Sequence, residues 1–170
     1  MKKLMVIFVL SLPVSLVMAQ GSKVAVVDAD VVIQKSVKGK KFFEDYQNFA
    51  KGKSGEIEVM VEQYKTQEKD YNAKVASLSE DKRKDLASEL QRLSTEIKRK
   101  QEDAKRESDD MLETALDQFR KELGPLIRQV ALEKNLDLVL NYGPQSNLVF
   151  FSDAINITDD VIKKYDETAK

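Results

Sequence analysis

From residue 57 onward the apolar side chains of this chain fall on Ile57, Tyr64, Tyr71 and Leu78, seven residues apart, with Met60 and Val75 beside the same line. Seven-residue spacing buries a narrow seam of one helix against another; a strand would repeat every two residues, and a helix on a thick core would show a wider apolar face. A second series follows at Leu86, Leu90, Leu93 and Ile97 and continues more weakly through Ala104, Met111, Ala115, Phe119 and Leu123. Between the two lies SLSEDKRKD, where Ser77 or Ser79 can cap a new helix whose first turn carries Glu80 and Asp81 at the positive end of its dipole. The pattern predicts helices over residues 40–77 and 80–134, packed as an antiparallel pair. At 1.5 Å per residue they extend about 55 and 80 Å, against about 30 to 40 Å for a compact domain of this length, so the hairpin must project.

The seam is uneven. Ala104 is the only apolar residue between positions 98 and 110, so that stretch is expected to be solvated on almost every side. Gly52 and Gly55 each weaken a helix by up to roughly 1 kcal/mol relative to Ala, which suits a bend or joint, although a helix can also tolerate them without consequence. Pro125, directly after Gly124, removes one helical hydrogen bond and favours a kink, and the base of the hairpin is placed there.

Both ends of the chain read differently. KVAVVD at 23–28 has the β-branched and small apolar character of a strand buried on both faces. After VVIQKSVKG, the segment FFEDYQNF places Phe42, Tyr46 and Phe49 on one helical stripe. Downstream, LDLVLN alternates, YGPQS is a turn and NLVFFS is a second apolar run, together predicting a two-stranded hairpin. In ITDDVIKKYDE, Thr158 can cap a short helix with Asp159 and Asp160 in its first turn and Val161, Ile162 and Tyr165 turned inward. The expected architecture is α+β but mainly α: a β-containing body from residues 20–39 and 125–170, and a helical hairpin over 40–124.

The start of the chain, MKKLMVIFVLSLPVSLVMAQ, has two lysines, an apolar run broken by Pro13, and small residues Val17 and Ala19 flanking Met18. That is the layout of a secretory signal peptide cleaved after Ala19, and its apolar run falls short of the roughly 20 residues a spanning helix needs. With no Cys after it there is no thiol for a lipid anchor, so a soluble exported protein is expected. Removing residues 1–19 from the 170 leaves 151. Losing Lys2 and Lys3 reduces the basic count from 28 to 26 against 29 acidic side chains, and nothing in that balance points to nucleic acid. Cys, His and Trp are absent, which removes disulfides, thiol nucleophiles, imidazole bases and the commonest zinc ligands. Stability must then come from elsewhere, and oligomerisation would supply burial.

The sequence carries no identifiable catalytic constellation. Gly52, Lys53 and Ser54 match the end of a phosphate-binding loop, but Gln47 stands where its first glycine belongs and no strand precedes it. Asp28 and Asp30 could open a calcium loop, yet Val32 and Ile33 occupy the next ligand and glycine positions, and strand-end and turn roles suit both aspartates. The remaining acids are interleaved with Lys and Arg at salt-bridge spacing, which describes a solvated face rather than a catalytic pair. No cofactor is implied. Two basic clusters, Lys82, Arg83 and Lys84 near the turn and Lys98, Arg99 and Lys100 beyond it, make residues 65–100 a segment with ten basic and seven acidic side chains. Such a tip can attract lipid headgroups or acidic polypeptides, or simply keep the hairpin soluble.

The signal peptide, KVAVVD with VIQKSVKGKK, the long charged hairpin, LGPLIRQVALEKNLDLVLN and the final ITDDVIKKYD together resemble the Skp/OmpH family of periplasmic chaperones. The resemblance spans essentially the whole mature chain and is most specific at its two ends. It implies a homotrimer whose strands form a common body, with three hairpins enclosing a cavity that holds unfolded outer-membrane proteins without ATP. On that implication Val24, Val26, Leu138, Leu140, Val149 and Phe151 lie in the trimerising body. The six basic tip residues become candidate contacts for clients or for an anionic membrane or lipopolysaccharide surface. Members of that family are strongly basic whereas this mature chain is mildly acidic, so long-range attraction of acidic clients does not follow. A different expectation, from the hairpin alone, is a structural adaptor joining envelope components through a folded partner; an enzyme is not indicated.

Overall fold

The computed structural model describes residues 21–143 and 146–169; the predicted signal peptide lies outside them, as do Pro144 and Gln145 of the predicted turn. Strand β1, Val24–Val27, leads into Asp28, whose extended backbone and carboxylate, accepting from the Val31 N–H at 2.9 Å, start helix α1 at Ala29–Lys35. Asp28 is thus a helix cap, in keeping with a strand-end role.

Ser36 then serves two helices. It ends α1, its N–H donating to the Val32 carbonyl at 3.0 Å, and its hydroxyl accepts from the Gly39 N–H at 3.1 Å to open α2, Val37–Lys74. The same hydroxyl donates to the Ile33 carbonyl at 3.1 Å, and the residue is fully buried. The sharp elbow brings Gly39 against the carbonyl of Ile33, where any side chain would collide. The stretch read from sequence only as an apolar segment is therefore one short helix and the first turn of the next.

A single 3-10 turn, Val75–Ser77, joins α2 to α3, Glu80–Glu133. Ser79 occupies the cap position, but its side chain makes no capping bond and the Ser77 hydroxyl donates instead to the Lys74 carbonyl at 2.8 Å. What favours the start of α3 is the pair of carboxylates in its first turn. At about 1.5 Å per residue the 38 residues of α2 and the 54 of α3 extend about 57 and 81 Å. Helix α2 runs unbroken through Gly52 and Gly55, and α3 continues through Pro125. A methyl group at either glycine would meet nothing within 4 Å. Gly52→Ala and Gly55→Ala are therefore expected to stabilise the protein by about 0.5–1 kcal/mol each, read as a higher thermal unfolding midpoint.

Helix α3 ends where Asn135 adopts a left-handed φ of 53°, the Asn135 N–H donating to the Leu132 carbonyl at 3.1 Å and the Leu136 N–H to that of Ala131 at 2.9 Å. This pair of bonds closes a Schellman motif, a position Asn tolerates better than other residues with side chains. The chain then enters β2, Leu138–Asn141, which pairs with β1 in parallel, Val24 beside Leu138 and Val27 beside Asn141. A parallel pair needs a long crossover, and here that crossover is the entire α1–α2–α3 hairpin.

This overturns the predicted strand hairpin. Residues 147–152 form no strand, and β2 does not pair with them. The reason lies in β1: β2 occupies one edge, and its other edge meets Asn156, where the Ile157 N–H donates to the Val26 carbonyl at 2.9 Å. The chain between them must cross over to reach that second edge and cannot fold back on β2.

Helix α4, Thr158–Glu167, also starts differently from expectation. Thr158 is its first residue rather than its cap; the Asn156 side chain accepts from the Thr158 N–H at 3.0 Å. The Thr158 hydroxyl donates to Asn156 and accepts from the Asp28 N–H at 3.0 Å, tying α4 to the end of β1. The core gathers here from both ends of the chain: Ala25 and Val27, Val32 and Ile33, Phe119, Leu123, Leu126 and Val130, with Ile157, Val161 and Tyr165.

Candidate functional site

Three surfaces can bind, and the core decides which residues each one presents. The first is the sheet. Val26 is buried and Val24 half-buried, because β1 has neighbours on both edges and helices against its face. On β2, Val139 packs inward while Leu138 remains 48% exposed and Leu140 half-buried. Beyond the turn, which the Ser146 N–H closes on the Gly143 carbonyl at 2.9 Å, Phe151 leans on Tyr142 with ring centroids 4.5 Å apart. Val149 is 99% exposed and Phe150 85%. The six residues expected in an oligomer body thus divide: Val24, Val26, Leu138 and Leu140 share one two-stranded sheet, whereas Val149 and Phe151 lie outside it on an unpaired segment beside the β2 side.

The second surface is the hairpin seam. Ile57, Met60, Tyr64 and Tyr71 on α2, Val75 and Leu78 in the connection that follows it, and Leu90 and Leu93 on α3 are all half-buried; between residues 44 and 118 only Ile97 is buried. Two helices can cover each side chain of a seam from one direction only, and the rest stays open. Near the turn, Tyr71, Leu86 and Leu90 line a groove of about 260 Å³ rimmed by Gln67, Asp70 and Glu89. Where the stripe thins, Ala50, Ser54 and Ile57 face Ala104 and Ser108, and Lys53 reaches Glu107 across the pair at 2.7 Å. That hydrogen bond raises the Lys53 pKa above its ordinary value. Lys53, Gly52 and Ser54 are mid-helix residues, as the failed phosphate-loop match required.

The third surface is basic. Lys82, Arg83, Lys84, Lys98, Arg99 and Lys100 are all exposed on the distal half of α3. Lys84 pairs with Glu80 at 2.8 Å and Lys98 with Glu102 at 3.8 Å, one turn away in each case. Among the described residues the other four form no ion pair. Further pairs at three- and four-residue spacing, such as Lys105 with Asp109 at 2.6 Å and Arg106 with Asp103 at 2.8 Å, place the interleaved charges on a solvated face. Exposed pairs of this kind contribute about 0–1 kcal/mol each.

Residues that sequence reasoning passed over concentrate at the root of the hairpin. Glu122 on α3 accepts from Tyr165 of α4, from Lys38 of α2 at 3.1 Å and from Gln118 at 3.0 Å. Asp166 accepts the Val37 N–H at 2.8 Å, and two ion pairs, Lys164–Glu133 at 2.9 Å and Lys134–Asp160 at 2.8 Å, fasten α4 to the end of α3. Only Ser36 carried a local signal, as a cap residue ahead of a helical stripe. Among the described residues no cluster of acidic side chains is arranged to hold a metal ion, and no helix is long and apolar enough to cross a membrane.

The family model described as "Outer membrane protein (OmpH-like)" matches residues 23–165. A search by sequence among curated proteins returns no match. Among solved structures, a Caulobacter crescentus CB15 protein described as an outer membrane chaperone (OmpH-like) shares the fold with a TM-score of 0.77 at 20% identity, over 86% of this chain and 85% of that one.

Proposed function

Given that the chain belongs to the OmpH-like outer membrane protein family, we propose that it is an ATP-independent periplasmic holdase. In this reading it keeps unfolded outer-membrane proteins in a cavity between the hairpins of a homotrimer. Residues 1–19 direct export, residues 20–39 and 125–170 form the assembling body, and residues 40–124 form the arm that meets the client. The description of the Caulobacter protein as a chaperone supports the general role.

The observation that carries the reading is the half-buried seam, in which a hairpin with a single buried side chain along its projecting length leaves Tyr, Met and Leu surface in contact with water. Many weak apolar contacts, repeated on several arms around one space, retain a chain that makes no single strong contact. Assembly is supported by Leu138, Val149 and Phe150, which are exposed on and beside a two-stranded sheet. Two strands seldom make an independently stable sheet, and further copies would cover both the apolar side chains and the free edge of β2. The basic residues of the arm, Lys82, Arg83, Lys84, Lys98, Arg99 and Lys100, would meet anionic segments of a client or an anionic membrane or lipopolysaccharide surface. No step in this function requires a cofactor or a catalytic group.

The test is aggregation of a urea-unfolded outer-membrane β-barrel on dilution, followed by turbidity, with the purified mature protein and no nucleotide. Suppression at about stoichiometric amounts is expected. Absence of suppression at every ratio contradicts the reading. Recovery of one folded partner without preference for unfolded chains would instead favour an adaptor of the cell envelope.

A further inference from the structure

Where the two long helices leave the core, three elements meet on one carboxylate. Glu122 lies on α3, one turn past Phe119, and its Oε2 accepts from the Tyr165 hydroxyl of α4 in a short hydrogen bond. The Lys38 ammonium of α2 reaches the same oxygen at 3.1 Å and also sits 5.1 Å from the centroid of the Tyr165 ring. Gln118 donates to the second oxygen, Oε1, at 3.0 Å. Tyr165 is 1% exposed, so its hydroxyl has no water to turn to if the carboxylate is lost. On the side of Phe42, Ala115 and Phe119 the cluster borders an open groove of about 210 Å³. Asp166, next to Tyr165, binds the first N–H of α2 at 2.8 Å.

We infer that Glu122, Tyr165 and Lys38 form a polar latch that sets the angle at which the hairpin leaves the core. Helix α3 is continuous with the core, whereas α2 reaches it through the Ser36 elbow, the edge-on Phe42–Phe119 contact and the Val37 N–H bond to Asp166, and the latch adds the side-chain bonds that hold the first turns of α2 against α3 and α4. Opening it would let the hairpin sample a wider range of angles while the sheet and α4 stay packed. The inference rests on the fold alone and holds whether or not the hairpins hold clients.

The titration behaviour of the latch supplies a readout that packing alone would not move. The Tyr165 hydroxyl, more than Gln118 or Lys38, holds the Glu122 carboxyl below its ordinary 4.5, against the opposing effect of burial. A lowered carboxylate adds stability that is present above pH 4.5 and lost as pH falls through its value in the folded protein. Burial, with Glu122 as the next cause, raises the Tyr165 hydroxyl well above its ordinary 10.0. That stability is present below pH 10 and lost as pH rises beyond it. The titratable groups facing Glu122 are Lys38 from α2 and Tyr165 from α4, with Asp166 beside Tyr165 and Gln118 the neutral neighbour on α3.

The chain has no cysteine, so two introduced ones can be spin-labelled cleanly. Glu58→Cys on exposed α2 and Lys163→Cys on exposed α4 report the hairpin angle, in labelled chain diluted into excess unlabelled chain and without client. The first label stands 20 residues beyond Lys38, about 30 Å along the helix, so a change of about 10° at the root moves it about 5 Å. Glu122→Gln and Tyr165→Phe should each broaden the distance distribution about twofold by populating alternative angles. Glu133→Gln, which removes the α3–α4 ion pair with Lys164 and touches nothing on α2, should leave it unchanged. Tyr165→Phe should also remove the loss of stability contributed by this group above pH 10. Unchanged widths in Glu122→Gln and Tyr165→Phe, or equal broadening in all three variants, would overturn the latch. If Glu122→Gln does not fold, Lys38→Met decides: broadening supports the latch and an unchanged width refutes it.

Discussion

Gly39→Ala is expected to cost more stability than any other single-methyl change in this protein. A Cβ at that position would lie 1.5 Å from the Ile33 carbonyl oxygen, 2.6 Å from its carbon and 3.0 Å from the Ser36 hydroxyl. The first two are backbone atoms, so no rotamer change relieves the overlap. The only relief is to open the elbow between α1 and α2, which breaks the two Ser36 side-chain bonds and draws Val32 and Ile33 out of the core. Losses above about 4 kcal/mol arise from this kind of mechanism, against a typical total stability of about 5–15 kcal/mol. The thermal midpoint should fall by roughly 8–16 °C or more, or the cooperative transition should vanish. Gly52→Ala, in an open helix, should shift the midpoint the other way. A Gly39→Ala protein as stable as the parent would mean that the elbow is not built as described.

Phe119→Ala should come next. Phe119 is buried among core residues and meets Phe42 of α2 edge-on, with ring centroids 5.9 Å apart at 79°. Truncating a buried Phe to Ala costs about 3–5 kcal/mol, and the edge-to-face pair accounts for about 0.5–1.5 of that. Because Phe119 is where α3 and α2 both enter the core, amide exchange should accelerate at the hairpin root and in α4 while the distal turn is unaffected. Leu86→Ala, at an exposed position near the turn, should change the midpoint little. Equal losses at the two positions would contradict the division between a packed root and an open arm.

The contrast between these positions reflects what the sequence expressed. The hairpin was legible because helix contacts are periodic: the stripes from Ile57 and from Leu86 mark seams, and the α3 start at Glu80 was read at its observed residue. Strand β1 was legible for its unbroken run of small and β-branched residues. What the pattern could not convey was pairing. LDLVLN and NLVFFS look like neighbours in a hairpin, but β2 pairs with residues more than a hundred positions earlier, and the second edge of β1 is taken by Asn156. Alternation identifies an extended segment without naming its partner. Capping was misplaced by one residue at α4 for a related reason: Thr158 has the right chemistry for a cap, but Ile157 holds the cap position and the Asp28 N–H claims the Thr158 hydroxyl from across the core. Gly39 and Glu122 were invisible because an elbow clash and a carboxylate shared by three helices exist only in three dimensions. At the candidate site, the half-buried seam was legible as apolar spacing, whereas its exposure depends on how many helices cover it.

In the function we propose, several hairpins mounted on a shared body enclose one unfolded client. Multi-angle light scattering on the purified mature protein, alone and after addition of an unfolded outer-membrane β-barrel, measures this directly at micromolar concentration. Three times the chain mass is expected for the protein alone, and three chains plus one client for the complex. A monomer that stays monomeric with or without client would contradict it.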